Sequence, residues 1–400
     1  MANTLAEVTP KLLAQGLMAL REMTVMPQLV NRQYDAMAGE RGSTIDVPIP
    51  SVVAANVVAP GSVPPSTQDI APTSVPIPLD QWYEAPFYLT DRDLLEAQEG
   101  TLPMQASEAI KALANNVDGF ILDLYKKVSN TYWANDIGFP AIGTAVVQSF
   151  VNGTTDATAL RRDLHKTLAP NDDRRVVMTP QVEAQALNIR AFQDASYSGS
   201  VMELIEGKLN RKLGFDWFMD QNVRTHTSGF ITVTPNVNAQ TLVGATAVVI
   251  QTVAGEDFAA NEGDIVQFSN HAQLYVVRNT LAAIGASATG SITISPALKV
   301  QLETTDAIAV DTAGAAADTA GTYDVNLAFH RNAFAFATRP LLQSTEGLGA
   351  MTSVAVDPVS GLALRLEVTR EHKRTRYSYD ILYGAALIRE ELVTRFHTAP

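Results

Sequence analysis

One stretch, residues 47–79, constrains this chain more than any other. It holds eight of the twenty prolines and a single charge, Asp69. Proline has no N–H and a fixed φ, so the stretch is neither a helix nor a strand inside a sheet. Val and Ile recur through it, which makes it too apolar for a solvated linker. VPIP occurs twice, at 47–50 and 75–78, around the turn-rich centre APGSVPPST. The simplest geometry is a long hairpin with a VPIP edge on each arm, the arms of about 16 residues projecting about 50 Å at ~3.3 Å per residue. A two-stranded hairpin is not stable alone in water, so this ribbon needs a surface to lie on. The stretch QWYEAPFYL that follows supplies aromatic residues to anchor its base. A disordered proline-rich linker is the plainer reading, and the Val and Ile content weighs against it.

The rest of the chain divides by pattern. Leu12, Leu13, Leu17 and Leu20 follow helical spacing in an N-terminal arm, and Pro27 interrupts it. Ile110, Leu113, Ala114, Val117, Ile121, Leu124 and Val128 form one apolar stripe behind a Thr101 cap and Pro103. That predicts a spine helix from 102 to about 130, ~40 Å long at 1.5 Å per residue, with Lys111, Asn115 and Asp118 on a polar face. Shorter helices are predicted over 157–168 and 180–192, flanking the strand RRVVMTP. At about Thr225 the composition changes. From 225 to 325 there is no Met or Trp, and nine acids face only Arg278 and Lys299. Short alternating runs separated by Gly and Asn turns predict a small all-β domain, a barrel, inserted in mid-chain. Beyond it, residues 328–341 read as helix or strand, 353–371 as a hairpin, and 376–396 as a closing strand and tail.

Four hundred residues imply two or three domains. No apolar run approaches the roughly 18 residues of a membrane span, and the N-terminus lacks the basic start of a signal peptide. The absence of cysteine excludes disulfides and thiolate metal sites and points to a reducing cytoplasm. A net charge of −13 opposes a grip on nucleic acid, although it is compatible with a wall enclosing it, and solubility alone also explains it. No phosphate-binding glycine loop, nucleophile elbow or paired-histidine zinc helix is present in the sequence. GEDFAANEGD (255–264) lacks the order of a calcium loop and reads as a solvated turn. His330 and His372 have no visible acid–base partner and read as packing or surface residues. EHKRTR, with Arg365 and Arg370, is the one basic patch, read as an ion-pair network between subunits ahead of a nucleic-acid contact.

The order of these parts resembles the major capsid proteins of tailed bacteriophages, the Hong Kong 97-type fold, in the podovirus branch that carries an inserted β-domain. KALANNVDGFILDLY (111–125) looks like that family's spine helix, and EGDIVQFSNHAQLYVV (262–277) is similar to the inserted domain's strand pattern. NLAFHRNAFAFATRPL (326–341) and YDILYGAALIREELVTRF (379–396) look like its closing segments. The resemblance implies an α+β chain with an N-terminal arm (1–40) and an extended loop hairpin (41–87). A peripheral domain (88–130 and 326–350), an axial domain (131–224 and 351–400) and an inserted β-barrel (225–325) complete it. It implies a non-enzymatic shell subunit that forms hexamers and pentamers and encloses double-stranded DNA without sequence-specific binding. A portal protein and, because no cleaved N-terminal scaffold segment is recognisable, a separate scaffolding protein would be its partners. No cofactor, metal or membrane is implied. The setting would be the virion, assembled in the host bacterial cytoplasm.

On this reading Val47, Ile49, Val52, Val53, Val75 and Ile77 are ribbon contacts to a neighbour. Trp82, Tyr83 and Phe87 set the ribbon's hinge. Asp257, Glu262, Asp264 and Arg278 are inserted-domain contacts across neighbouring capsomers. Two other classes remain: an extracellular or surface binding module with the β-domain as its head, and a hydrolase assembled from scattered acids.

Overall fold

The computed structural model describes residues 24–34, 44–51, 70–91, 101–139, 148–194, 205–253, 257–285, 287–312, 320–343, 350–356 and 362–400, with isolated positions 13, 16, 18, 20, 53, 55 and 60. The chain splits into two compact units. One comprises Met1–Met23, Asn31–Ala114 and Phe334–Ile388, and the other Thr24–Val30, Asn115–Ala333 and Arg389–Pro400. Helix α1 (Thr101–Leu122) gives its first turns to the former and its last turns to the latter.

In the first unit, β1 (Thr44–Ile49) and β2 (Thr73–Pro78) pair antiparallel with Val47 opposite Val75 and Pro48 opposite Ser74. Prolines at even positions on both strands explain how so proline-rich a pair forms a ladder. Antiparallel strands bond through alternate residues, so the missing N–H groups fall on the outward edges and odd residues carry the bonds. The same alternation turns Ile45, Val47 and Ile77 inward. Beside this pair lies a five-stranded antiparallel sheet built on the 14-residue β20 (Arg374–Leu387). Strand β3 (Gln81–Thr90) runs along one side of it. On the other side lie β19 (Ala363–Glu371), which carries β18 (Ala350–Val356), and then β17 (Phe334–Arg339). Leu364, Leu366, Tyr377, Tyr379 and Ile381 are buried, as are Ala106, Ile110 and Leu113 of α1.

In the second unit, a sheet runs in the order β4 (Thr131–Trp133), β21 (Val393–Thr398), β16 (Thr322–His330), β5 (Arg174–Met178) and β6 (Asp216–Met219), with β7 (Thr225–Thr227) also on β16. Helix α2 (Thr155–Lys166) buries Ala157, Leu160 and Leu164, and Thr179 caps helix α3 (Pro180–Leu187) by accepting from Val182 N. Residues 228–312 form a separate core around Val248, Ile250, Val266, Phe268, Tyr275 and Ile292. Its six-stranded sheet runs β15 (Ile308–Val310), β11 (Ile265–Phe268), β12 (Leu274–Val277), β14 (Thr289–Ser295), β9 (Ala247–Gln251), β8 (Asn236–Val237). Its outermost strands meet: Asn236 bridges Ala307, and Val237 N donates to Asp306 O at 2.9 Å. A further pair joins β10 (Phe258–Ala260) and β13 (Leu281–Ile284).

The expected segment boundaries differ from these units. Residues 351–388 group with 31–114, whereas the sequence reading joins all of 351–400 to 131–224. The reason is β20, whose ten-residue pairing with β3 outweighs its chain proximity to β21. Residues 326–330 likewise lie on β16 with 131–224, apart from β17. The expected spine helix runs as an α-helix to Leu122 and then tightens to a 3-10 turn, Asp123–Lys127.

Candidate functional site

The ribbon is anchored in its own chain. Ile45, Val47, Ile77 and Leu79 close a small core with Ala335, Ala337 and Ala386, and Val75 packs against it half-buried. At the crossing, a Cβ on Gly384 would lie 2.0 Å from the Pro78 carbonyl oxygen, so only glycine lets β2 pass β20 there. Val47 and Ile77, expected as ribbon contacts, are buried within this core. Ile49 is half-buried, Val52 lies outside the described residues, and Val53 and Ile70 are 65% and 76% exposed. Among the described residues of the ribbon, the exposed apolar side chains Val53 and Ile70 lie outside the paired strands.

The residues expected to set the hinge, Trp82, Tyr83 and Phe87, sit in the regular ladder of β3 on β20. Phe87 stacks on Tyr377 with centroids 5.3 Å apart, Tyr83 on Tyr383 at 6.2 Å, and Trp82 Nε1 donates to Asp380 at 3.1 Å. These aromatics anchor the base, and Leu79 and Asp80 lie between β2 and β3. The basic patch beside them is satisfied within the chain. Arg376 pairs with Glu84 at 2.6 Å, Arg370 with Asp91 at 2.7 Å, Arg374 with Glu371 and Arg365 with Asp380. Cross-strand pairing of β20 with β19 and β3 brings Arg365 to Asp380 and Arg376 to Glu84, which the linear sequence conceals.

In the second unit, the segments around the all-β core meet the mixed sheet over a buried polar cluster. Tyr125 O–H bonds His226 Nδ1 at 2.7 Å, and His226 Nε2 bonds Asp264 Oδ1 at 2.7 Å. The other oxygen of Asp264 accepts from Gly229 N and Asn261 N. Asp311 accepts from Trp133 Nε1 at 2.7 Å and His397 Nδ1 at 3.2 Å. Arg395 donates to Gly263 O at 2.8 Å. Alternation along β21 explains the arrangement: Arg395 and His397 face this cluster, while Phe396 packs on Tyr132 and Phe150.

A hydroxyl, an imidazole and a carboxylate in line have the order of a nucleophilic relay. Here all three are buried, and burial holds the Tyr125 hydroxyl far above its usual range. His397, also sealed, is pulled down to about 4, mainly by burial, against its bond to Asp311. In that window the unfolded chain binds a proton that the native one refuses. Stability from this group is therefore complete above the ordinary histidine pKa and is lost as pH falls toward 4. The thermal advantage of the wild type over His397→Gln is expected to shrink by about 2 kcal/mol between pH 7 and 4.5, followed by melting at each pH.

Asp264, expected as an inserted-domain contact, is a fully buried bond acceptor in this chain. Glu262 and Arg278 are half-buried beside Lys127, whose ammonium is pushed down by burial and by Arg278 and pulled up by Glu262. Asp257 is half-buried, and its backbone carbonyl accepts from Thr232 N. His330 is buried and accepts from Asn332 N, while His372 is exposed. A cleft of about 640 Å³ carries Arg162, Lys166 and Lys299 against Asp163, Glu390 and Glu391, and no histidine lines it among the described residues. Among the described residues no three metal-ligating side chains gather, and no helix is long and apolar enough to cross a membrane.

No family model matches the sequence, and no curated protein matches it. Solved structures do match. The capsid structure of the cyanophage P-SCSP1u has a chain similar at a TM-score of 0.51 and 13% identity, covering 94% of this chain and 88% of that one. A chain from Mycobacterium phage Che8 aligns at 0.49 and 16% identity, covering 93% and 90%. The chain accordingly has the mixed α+β, Hong Kong 97-type fold of a phage capsid protein.

Proposed function

We propose that this chain is the structural subunit of an icosahedral phage shell, assembling as hexamers and pentamers and enclosing double-stranded DNA without base-specific contacts. The observation that carries the reading is the match, over 94% of its length, to a chain of a cyanophage capsid. The ribbon supports it. Val53 and Ile70 expose apolar surface beyond an anchored base, and burying such side chains on a neighbour gains roughly 25 cal/mol per Å². Repetition around a closed shell multiplies that gain. The meeting of β8 with β15 supports reading 225–325 as a small inserted barrel, and Asp257, Glu262 and Arg278 keep partial exposure for contacts to neighbouring capsomers. The two parts of the fold outside it correspond to a peripheral region carrying the ribbon and an axial region carrying the mixed sheet. The role is structural and not enzymatic, exercised in the virion after assembly in a bacterial cytoplasm with a separate scaffolding protein and a portal protein.

Purified protein, alone and with a co-expressed scaffold candidate, is expected to give closed particles of uniform diameter by negative-stain microscopy and light scattering. A species that stays monomeric at every concentration under both conditions overturns the reading and favours a binding module.

A further inference from the structure

The arm segment 24–30 is gripped at both ends. Asp118 of α1 accepts from Val25 N at 3.1 Å and Met26 N at 3.0 Å, at the start of the helical turn Met26–Leu29. Arg175 of β5 donates to the carbonyls of Gln28 and Leu29 at its end. Met26, Pro27, Leu29 and Val30 are buried, so the turn is seated as well as clamped. Asp118 is fully enclosed, and Asp220, after β6, is 3% exposed. One Asp220 oxygen accepts from Asn222 N, and the other is buried without a partner. Two buried carboxyls are thus coupled, the Asp220 charge bearing on Asp118 beneath the arm, and one of the Asp220 oxygens is orphaned. The cation that bears on Asp220 is Arg224, itself engaged by Asp123 at 3.1 Å.

We propose that Asp118 and Asp220 form a proton-controlled latch on residues 24–30, closed while the pair holds a proton and loosened when that proton leaves. Two buried negative charges repel each other and cannot be hydrated, so ionising both costs more than the two arm amides return. Burial first, and then the Asp220 charge, push Asp118 up to about 7, against the pull of the Val25 and Met26 amides. Asp220 is pushed up by burial and pulled back by Asn222 and Arg224. The titration belongs to the pair. A carboxyl raised above its unfolded value contributes stability that is full below the ordinary carboxylate range and lost as pH rises toward 7. The latch therefore tightens in acid and slackens above neutrality, opposite in sign to the His397 contribution.

Peptide-resolved hydrogen exchange on the full-length protein tests this. After correction for intrinsic rates, protection of 24–30 is expected to fall about tenfold between pH 5.5 and 8, while a peptide inside β16 keeps its protection. Asp118→Asn should flatten the dependence, and Asp220→Asn should move its midpoint to lower pH. Flat wild-type protection overturns the latch, as does a pH dependence that survives Asp118→Asn. Should Asp118→Asn not fold, an unmoved midpoint in Asp220→Asn overturns it alone.

Discussion

Replacing residues 50–72 by Asn-Gly is expected to leave a folded, soluble subunit that builds no closed shells. The design follows from the register. Ile49 faces Thr73, so a two-residue type I′ turn joins β1 to β2 at the end of their ladder without disturbing it. Everything that anchors the ribbon base remains. Ile45, Val47, Ile77 and Leu79 keep their places against Ala335, Ala337 and Ala386, each contributing about 1.5–3 kcal/mol from burial. The material removed includes Val53 and Ile70, exposed apolar residues that contribute little to the isolated fold. Melting temperature should therefore stay close to that of the wild type, while sedimentation and microscopy show subunits or small oligomers. Normal particles from this variant would show that the distal ribbon is not the assembly contact.

The contrast between the two halves of the ribbon shows what a linear pattern conveys. Prolines at alternating positions and the repeated VPIP foretell an extended hairpin, because proline chemistry is local. Nothing local distinguishes Val47, locked against Ala335, from Val53, left in solvent, since the difference lies in a strand nearly three hundred residues away. The spine helix was legible from its apolar stripe, yet Asp118, placed by that periodicity on a polar face, is fully buried. A helical wheel separates apolar from polar but does not know that an arm covers the polar side. Asp264 misleads in the same way. Among four acids in a turn it reads as a solvated charge, and the histidine that engages it sits 38 residues upstream. Register hides the basic patch too, because Arg376 and Glu84 meet only once β3 lies on β20. Buried polar contacts are invisible to sequence patterning, since hydrophobicity predicts burial only for groups that gain by it.

Arg395→Met is expected to destabilise the second unit by about 3 kcal/mol, which for a unit of its size lowers the melting temperature by roughly 10 °C. Two effects compete. Arg395 is fully buried, and two of its donor nitrogens, Nε and Nη2, have no partner, so its removal relieves a desolvation cost. Its charge, however, lies among Asp264, Asp311, Tyr125 and Tyr323, all sealed from water, and burial and these partners pull its own basicity in opposite directions. Without it, buried Asp264 and Asp311 lose that positive charge, and Gly263 O loses its Arg395 donor. Breaking one side of a buried charge set costs more than relief of the lone guanidinium returns, because the leftover charges cannot be hydrated. Arg395→Lys should recover part of the loss, through charge without the planar reach to Gly263 O. Adding Asp311→Asn to Arg395→Met should also recover part of it, and the coupling in that double-mutant cycle should exceed about 1 kcal/mol. Melting within about 2 °C of the wild type for Arg395→Met, or strict additivity in the cycle, would show that the cluster is held by packing and not by balanced charge.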